Sequence, residues 1–71
     1  MVKPSGFLNE HLDEKVELLL KDGSTIEGTL IGYDDHMNLV LEDSEEKKKD
    51  KHRRIGTIVL RGNNVVTINP A

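Results

Sequence analysis

The 71-residue chain has no cysteine and no tryptophan, one tyrosine, one phenylalanine and two prolines. Without cysteine there is neither a disulfide framework nor a thiolate zinc site. With aromatics at 3%, the core has to be aliphatic, and Leu, Ile and Val together supply twenty residues. No apolar run reaches the roughly 18–20 residues of a membrane-spanning helix. The stretch Met1 to Gly6 lacks the apolar segment of a secretory signal. A cytoplasmic setting without a membrane partner is therefore expected. The net charge of −3 also argues against nonspecific duplex binding, which feeds on a strongly basic surface. The aliphatic residues fall in patterned runs, which sets the chain apart from disordered sequences.

So short a chain has little interior. Below roughly 70–80 residues a single core seldom supplies more than about 3–5 kcal/mol, and disulfides, a metal or oligomerisation make up the difference. Disulfides are impossible here, and the three histidines, His11, His36 and His52, are scattered. Oligomerisation is the remaining remedy, and neither a metal nor a cofactor is expected.

Ser5 to Asp13 reads as a short helix capped by Ser5, with Phe7, Leu8 and Leu12 near one face and His11 solvated. From Lys15 the period changes to two. Val16, Leu18 and Leu20 alternate with charged residues, as in a half-buried strand. Asp22-Gly23 is a strong hairpin signal. Ser24 to Tyr33 reads as a second strand, with Ile26, Gly28, Leu30 and Gly32 on one face. Glycines inside a strand mark a sharp bend or a close backbone approach, which suits a sheet curled into a small barrel. Asp34-Asp35-His36 reads as a turn and Met37 to Asp43 as a third strand.

Glu42 to Arg54 holds five acidic and six basic residues. Its part from Ser44 to Lys51 has no apolar residue and reads as a solvated hairpin tip whose charges largely cancel. Ile55 to Leu60 is a fourth strand, Arg61-Gly62-Asn63-Asn64 a tight connection, and Val65 to Asn69 a fifth strand ended by Pro70. The expected fold is mostly β: one short helix, then five antiparallel strands in a single strongly bent sheet. Such a sheet has two edges, and an unpaired edge invites a second chain.

Catalytic constellations are missing from the sequence. No serine sits in a nucleophile elbow, and Asp34, Asp35 and His36 are adjacent, so their side chains diverge. Two polar turns remain as candidates: Tyr33 to Asn38 and Arg61 to Asn64. Imidazole and guanidinium groups stack on base faces, and a carboxamide offers a donor beside an acceptor. Read from composition and pattern alone, Asn38 and Asn63 are turn formers and Arg61 an ordinary surface cation, and this reading outweighs the binding one.

The segment Gly23 to Leu41, with Gly28, Leu30, Tyr33-Asp34, Met37-Asn38 and Leu41, resembles the first motif of the Sm and Sm-like family. The segment Ile55 to Ile68, with its IVLRGNNVV run, resembles the second. On this resemblance one domain covers residues 1–71, with motifs at about 16–43 and 55–69 and a variable charged loop at 44–52. The resemblance implies an RNA-binding, ring-forming protein, usually seven-membered in the archaeal branch, in RNA processing. Its ring would bind U-rich single-stranded RNA at the central opening, one uridine pocket per subunit. Carried over by position, His36 and Arg61 would stack on the base from opposite sides and Asn38 would read the uracil edge. Asn63, where archaeal relatives often have Asp, would follow in the second loop. Asp34, Met37 and Gly62 would support the loops. The partners implied are U-rich RNA, further copies of the chain and other RNA-processing proteins. Val59, Val65, Val66 and Ile68 are expected at the seam between subunits. A second reading is a ring that serves as a protein-assembly scaffold, docking partners through its charged loop.

Overall fold

The computed structural model describes residues 4–71. A helix, α1 (Pro4–Glu10), precedes five strands: β1 (Lys15–Leu20), β2 (Thr25–Tyr33), β3 (Leu39–Lys48), β4 (Lys51–Leu60) and β5 (Val65–Pro70). A single 3₁₀ turn at Gly62–Asn64 separates β4 from β5. The helix is shorter than expected. Asp13 adopts a left-handed conformation (φ 66°), which ends the helical path. The Asp13 N–H donates to the Leu30 carbonyl (2.7 Å), and the Leu30 N–H returns a bond to the Glu14 carbonyl (3.0 Å). This backbone exchange with β2 competes successfully with a third helical turn. Ser5 lies inside the helix's first turn and does not cap it.

The strands form one antiparallel sheet in the order β4-β3-β2-β1-β5. Four consecutive strands meander, and the chain then crosses over so that β5 pairs with β1 and not with β4. The sheet thereby curls on itself and leaves β4 and β5 as its two edges. Alternation decides the inner face: Val16, Leu18, Ile26, Leu30, Leu39 and Leu41 are buried there, and Leu8 of α1 covers one end. Phe7, Leu12, Ile55, Ile58 and Leu60 pack against this cluster, as do Val65 and Ile68 of β5, so both edges touch the same small core.

The bend is built where β2, β3 and β4 cross. The pairing register shifts beside Gly28 and again around Ser44. Asp43 (φ 51°) and Gly56 (φ 72°) carry the bulge conformations. Ser44 is buried, and its hydroxyl donates to the Gly56 carbonyl. A Cβ at Gly28 would lie 3.0 Å from the Ser44 Cβ and 3.2 Å from the Glu42 carbonyl oxygen. Gly28 therefore lets the kinked β3 lie against β2. Gly32 differs: it sits at a register shift, but its nearest neighbour is the Val40 side chain at an ordinary 3.8 Å.

The charged segment corrects the expectation for 44–52. It is strand almost throughout, with β3 running to Lys48, β4 starting at Lys51 and only residues 49 and 50 forming the turn. Ion pairs tie part of it together: Arg53–Glu46 (3.1 Å), Arg54–Glu45 (3.6 Å) and Lys47–Glu27 (3.9 Å). Opposite charges on facing strands substitute for apolar pairs on a solvated surface. The third strand also starts two residues later than expected, because Met37 is in the left-handed region (φ 63°) and belongs to the turn.

Candidate functional site

The turn between β2 and β3 has two backbone bonds. The Met37 N–H donates to the Asp34 carbonyl and the Asp34 N–H to the Asn38 carbonyl, both at 3.1 Å. With Met37 left-handed, this is the three-residue hairpin loop in which a tight turn is followed by one residue of positive φ. Glycine or asparagine usually fills that place, and a larger side chain there costs about 1–2 kcal/mol. Two features offset the cost. The Met37 side chain packs against the core. The Asp34 carboxylate accepts three N–H bonds: from the His36 and Asn38 backbones to Oδ1 (2.9 and 3.0 Å) and from Asn38 Nδ2 to Oδ2 (2.9 Å). These bonds, the Asn38 side chain's first, hold the Asp34 carboxyl below its ordinary pKa.

The connection between β4 and β5 docks onto this loop through Gly62. A Cβ at Gly62 would lie 2.6 Å from the His36 carbonyl oxygen and 2.7 Å from that of Met37. Both are backbone atoms and cannot swing aside, so only glycine fits. Its N–H donates to Asn38 Oδ1 (3.0 Å). On the far side, the Asn64 carbonyl accepts from the Lys21 N–H (3.0 Å), which anchors the connection to the end of β1.

The Asn38 carboxamide is consequently held at both ends, its nitrogen by a carboxylate and its oxygen by a backbone donor. That network assigns which end is oxygen. Each end keeps unused capacity, one N–H and one oxygen lone pair. The recess beside it is open, about 270 Å³, and lined by His36, Asn38, Arg61 and Asn63. All four residues expected at the site are thus brought together from two loops, with Asp34, Met37 and Gly62 behind them. His36, Arg61 and Asn63 are exposed, whereas Asn38 is half-buried. The supporting role expected of Gly62 acquires a specific partner only in the structure. The bond from Gly62 to Asn38 spans 24 residues, and no local pattern announces it.

The expected seam residues divide in two. Val59 on β4 and Val66 on β5 are 70% and 56% exposed, on the two open edges. Val65 and Ile68 are half-buried against this chain's own core.

A small, sharply bent antiparallel sheet with two apolar-studded edges and one polar two-loop recess defines the Sm-like class of fold. Residues 6–70 match the model of the LSM domain, and the chain belongs to that family. It is 46% identical over 70 residues to an snRNP Sm-like protein of Archaeoglobus fulgidus, covering 97% of this chain and 91% of the relative. Among solved structures it is similar to the Pyrococcus abyssi Sm protein in complex with a uridine heptamer (41% identity, 97% of this chain and 99% of that one, TM-score 0.90). It is also similar to a heptameric archaeal Sm protein (38% identity, 92% and 96% coverage, TM-score 0.86).

Proposed function

We propose that the chain is a non-catalytic RNA-binding subunit that closes into a homomeric ring, seven-membered as in the heptameric relative, and holds U-rich single-stranded RNA in one recess per subunit. The fixed Asn38 carboxamide carries the reading. Uracil presents an N3–H donor beside an O4 acceptor, which match the free lone pair of Asn38 Oδ1 and the free hydrogen of Nδ2. Cytosine presents the reverse pattern, and pairing with it requires the amide to flip. A flipped amide would set its oxygen against the Asp34 carboxylate and its nitrogen against the Gly62 N–H. Both contacts are repulsive, so the loop selects by penalising the wrong base as well as by pairing with the right one.

His36 and Arg61 supply flat surfaces for stacking, worth about 1–3 kcal/mol per base. One such recess is weak, but identical recesses engaged by one strand act at high effective concentration. A head-to-tail contact closes into a ring when its rotation allows. Joining the β4 edge of one copy to the β5 edge of the next covers Val59 and Val66 and removes both open edges, and we place Val65 and Ile68 at the same seam. Among the described residues no helix is long and apolar enough to cross a membrane. We assign the ring to the cytoplasm and to RNA processing.

Fluorescence anisotropy with oligouridine and oligocytidine, run beside native mass measurement, tests the reading. The expected result is a ring that binds oligouridine saturably and far more tightly than oligocytidine. A ring without saturable oligouridine binding at micromolar protein would favour the protein scaffold. A folded monomer would remove both readings.

A further inference from the structure

The charges of the β3–β4 hairpin are sorted along its length. Near the bend, facing positions are opposite in sign, Glu45 with Arg54 and Glu46 with Arg53, and both pairs form ion pairs. Toward the tip the facing positions become Lys47 with His52 and Lys48 with Lys51. Lys47 finds Glu27 on β2, but Lys48 and Lys51 are like charges set directly opposite, which destabilises a hairpin, and Lys49 adds a further cation in the turn. Among the described residues Lys48, Lys49 and Lys51 have no carboxylate within ion-pair distance. Asp22 lines a recess with Lys48 and Lys49, and its carboxyl is held below its ordinary pKa by the bonds from Ser24 and in lesser part by the Lys48 charge. Asp50 lies in the turn, and Glu46 is engaged by Arg53.

Counted with the facing glutamates, residues 45–54 hold six Lys and Arg against three carboxylates, a formal +3, which with the chain total of −3 leaves −6 on the rest. The cations of this hairpin that lie outside those ion pairs, Lys48, Lys49 and Lys51, are gathered at its tip. An open recess of about 580 Å³ there is lined by Glu46, Lys48, Asp50, Lys51, His52 and Arg53. The tip stands at the opposite end of β3 and β4 from the Asn38 recess, since β3 begins next to Asn38 and β4 ends next to Arg61. Ten extended residues span about 33 Å before bending.

We infer that the β3–β4 tip is a second RNA contact, a sequence-independent site at which Lys48, Lys49 and Lys51 hold backbone phosphates of RNA lying outside the uridine tract. The inference rests on the RNA-binding reading of the Asn38 recess. A local rule broken at an exposed tip, where nothing in the fold requires it, marks function over stability. Flexible ammonium groups suit phosphates of varied geometry, and they release counterions without reading bases. The two ends then divide the work: the Asn38 recess selects bases, and the tip supplies salt-sensitive affinity for whatever flanks them.

The experiment uses the full chain and three RNAs: heptauridine, a 30-nucleotide RNA with seven uridines at its centre, and a 30-nucleotide RNA without uridine. In the variant Lys48→Gln/Lys49→Gln/Lys51→Gln, heptauridine affinity should stay within about twofold. The long uridine-containing RNA should lose about tenfold or more at low salt. Its slope of log affinity against log salt should flatten by about 0.7 for each phosphate that the variant no longer neutralises. The Lys→Arg triple variant should behave like the parent. Unchanged long-RNA binding in the Gln variant would overturn the inference, as would a parallel loss for heptauridine or failure of the Arg variant to restore affinity. If the parent protein fails to bind heptauridine, the uridine reading fails by itself. The uridine-free RNA then decides the tip: weakened binding in the Gln variant sustains it, and unchanged binding removes it.

Discussion

The chain reverses direction twice behind an aspartate, and the two turns are built to different ends. Between β1 and β2, Asp22 accepts from the Ser24 N–H (2.9 Å) and the Ser24 hydroxyl (2.5 Å), and Gly23 takes the positive φ (88°). Nothing else is asked of that turn, and glycine adopts the backbone at no steric cost. Between β2 and β3, Asp34 also caps its own turn, but the left-handed residue is Met37 and the capped residue, Asn38, reaches into a second loop. Here strain is held by three N–H bonds to one carboxylate and by a half-buried side chain. A turn that only reverses the chain takes the least strained residues. A turn that positions a carboxamide accepts backbone strain in exchange for one fixed orientation.

If docking between loops is what separates the second turn from the first, the largest effect should come from preventing it. Gly62→Ala places a methyl group against two backbone carbonyl oxygens. Overpacking of this kind costs about 1–3 kcal/mol and forces the loops apart. Oligouridine binding should fall by about a hundredfold, measured by anisotropy, with the ring mass retained. Unchanged affinity would mean that the loops act separately. Asn38→Ala comes next. It removes the reading group and deprives the Gly62 N–H of its partner. Oligouridine affinity should drop by about tenfold or more, in line with the about 1–3 kcal/mol cost of leaving the bound uracil edge without its partner, with a much smaller change for oligocytidine. Equal losses for both would break the link between the fixed amide and base choice. Arg61→Ala should cost less, about two- to fivefold, because an exposed cation stacked on a base gives about 0.5–1 kcal/mol and screened phosphate attraction adds little. Its binding should depend less on salt than the parent's.

The same contrast explains what can be read without a structure. The two-residue period of Val16, Leu18 and Leu20 and the Asp-Gly signal are local, and they suffice for β1, the first hairpin and the inner face. The site residues come from two turn segments together with a family resemblance, and the four recess-lining residues do converge. Three features escape the sequence because particular hydrogen bonds and ion pairs, not composition or period, decide them. The helix ends at Glu10 because Asp13 pairs with Leu30 on β2. Met37 is turn and not strand because Asp34 organises the loop. The charged segment is strand because its ion pairs lie between facing strands, a pattern that a count of charges does not reveal. The approach of Gly62 to the His36 and Met37 carbonyls has no sequence signal at all.

Asp22→Ala should affect stability alone. The Ser24 hydroxyl and N–H lose their shared acceptor, so a slightly lower thermal midpoint is expected, with oligouridine affinity unchanged within error. A clear loss of affinity would show that the first turn reaches the recess, and the distinction between the two turns would fail.

The smallest effect is in acid, and it separates the turns by a different route. Both carboxyls are held below their ordinary pKa: Asp22 by the Ser24 side chain and backbone, and Asp34 by the Asn38 side chain and then its backbone. A carboxyl lowered in the folded state contributes stability that is fully present above its unfolded value of about 3.9. That contribution is lost as pH falls through the lowered folded value. Urea midpoints of the parent at fixed protein concentration should therefore decline as pH drops below about 4, while Asp22→Ala and Asp34→Ala, each lacking one such group, decline less steeply and approach the parent at the acid end. At neutral pH only Asp34→Ala should also have lost oligouridine binding, because its carboxylate orders the loop that presents Asn38. Parallel acid profiles in all three proteins would mean that these hydrogen bonds do not favour the ionised carboxylates, and that the Met37 backbone is held by packing alone.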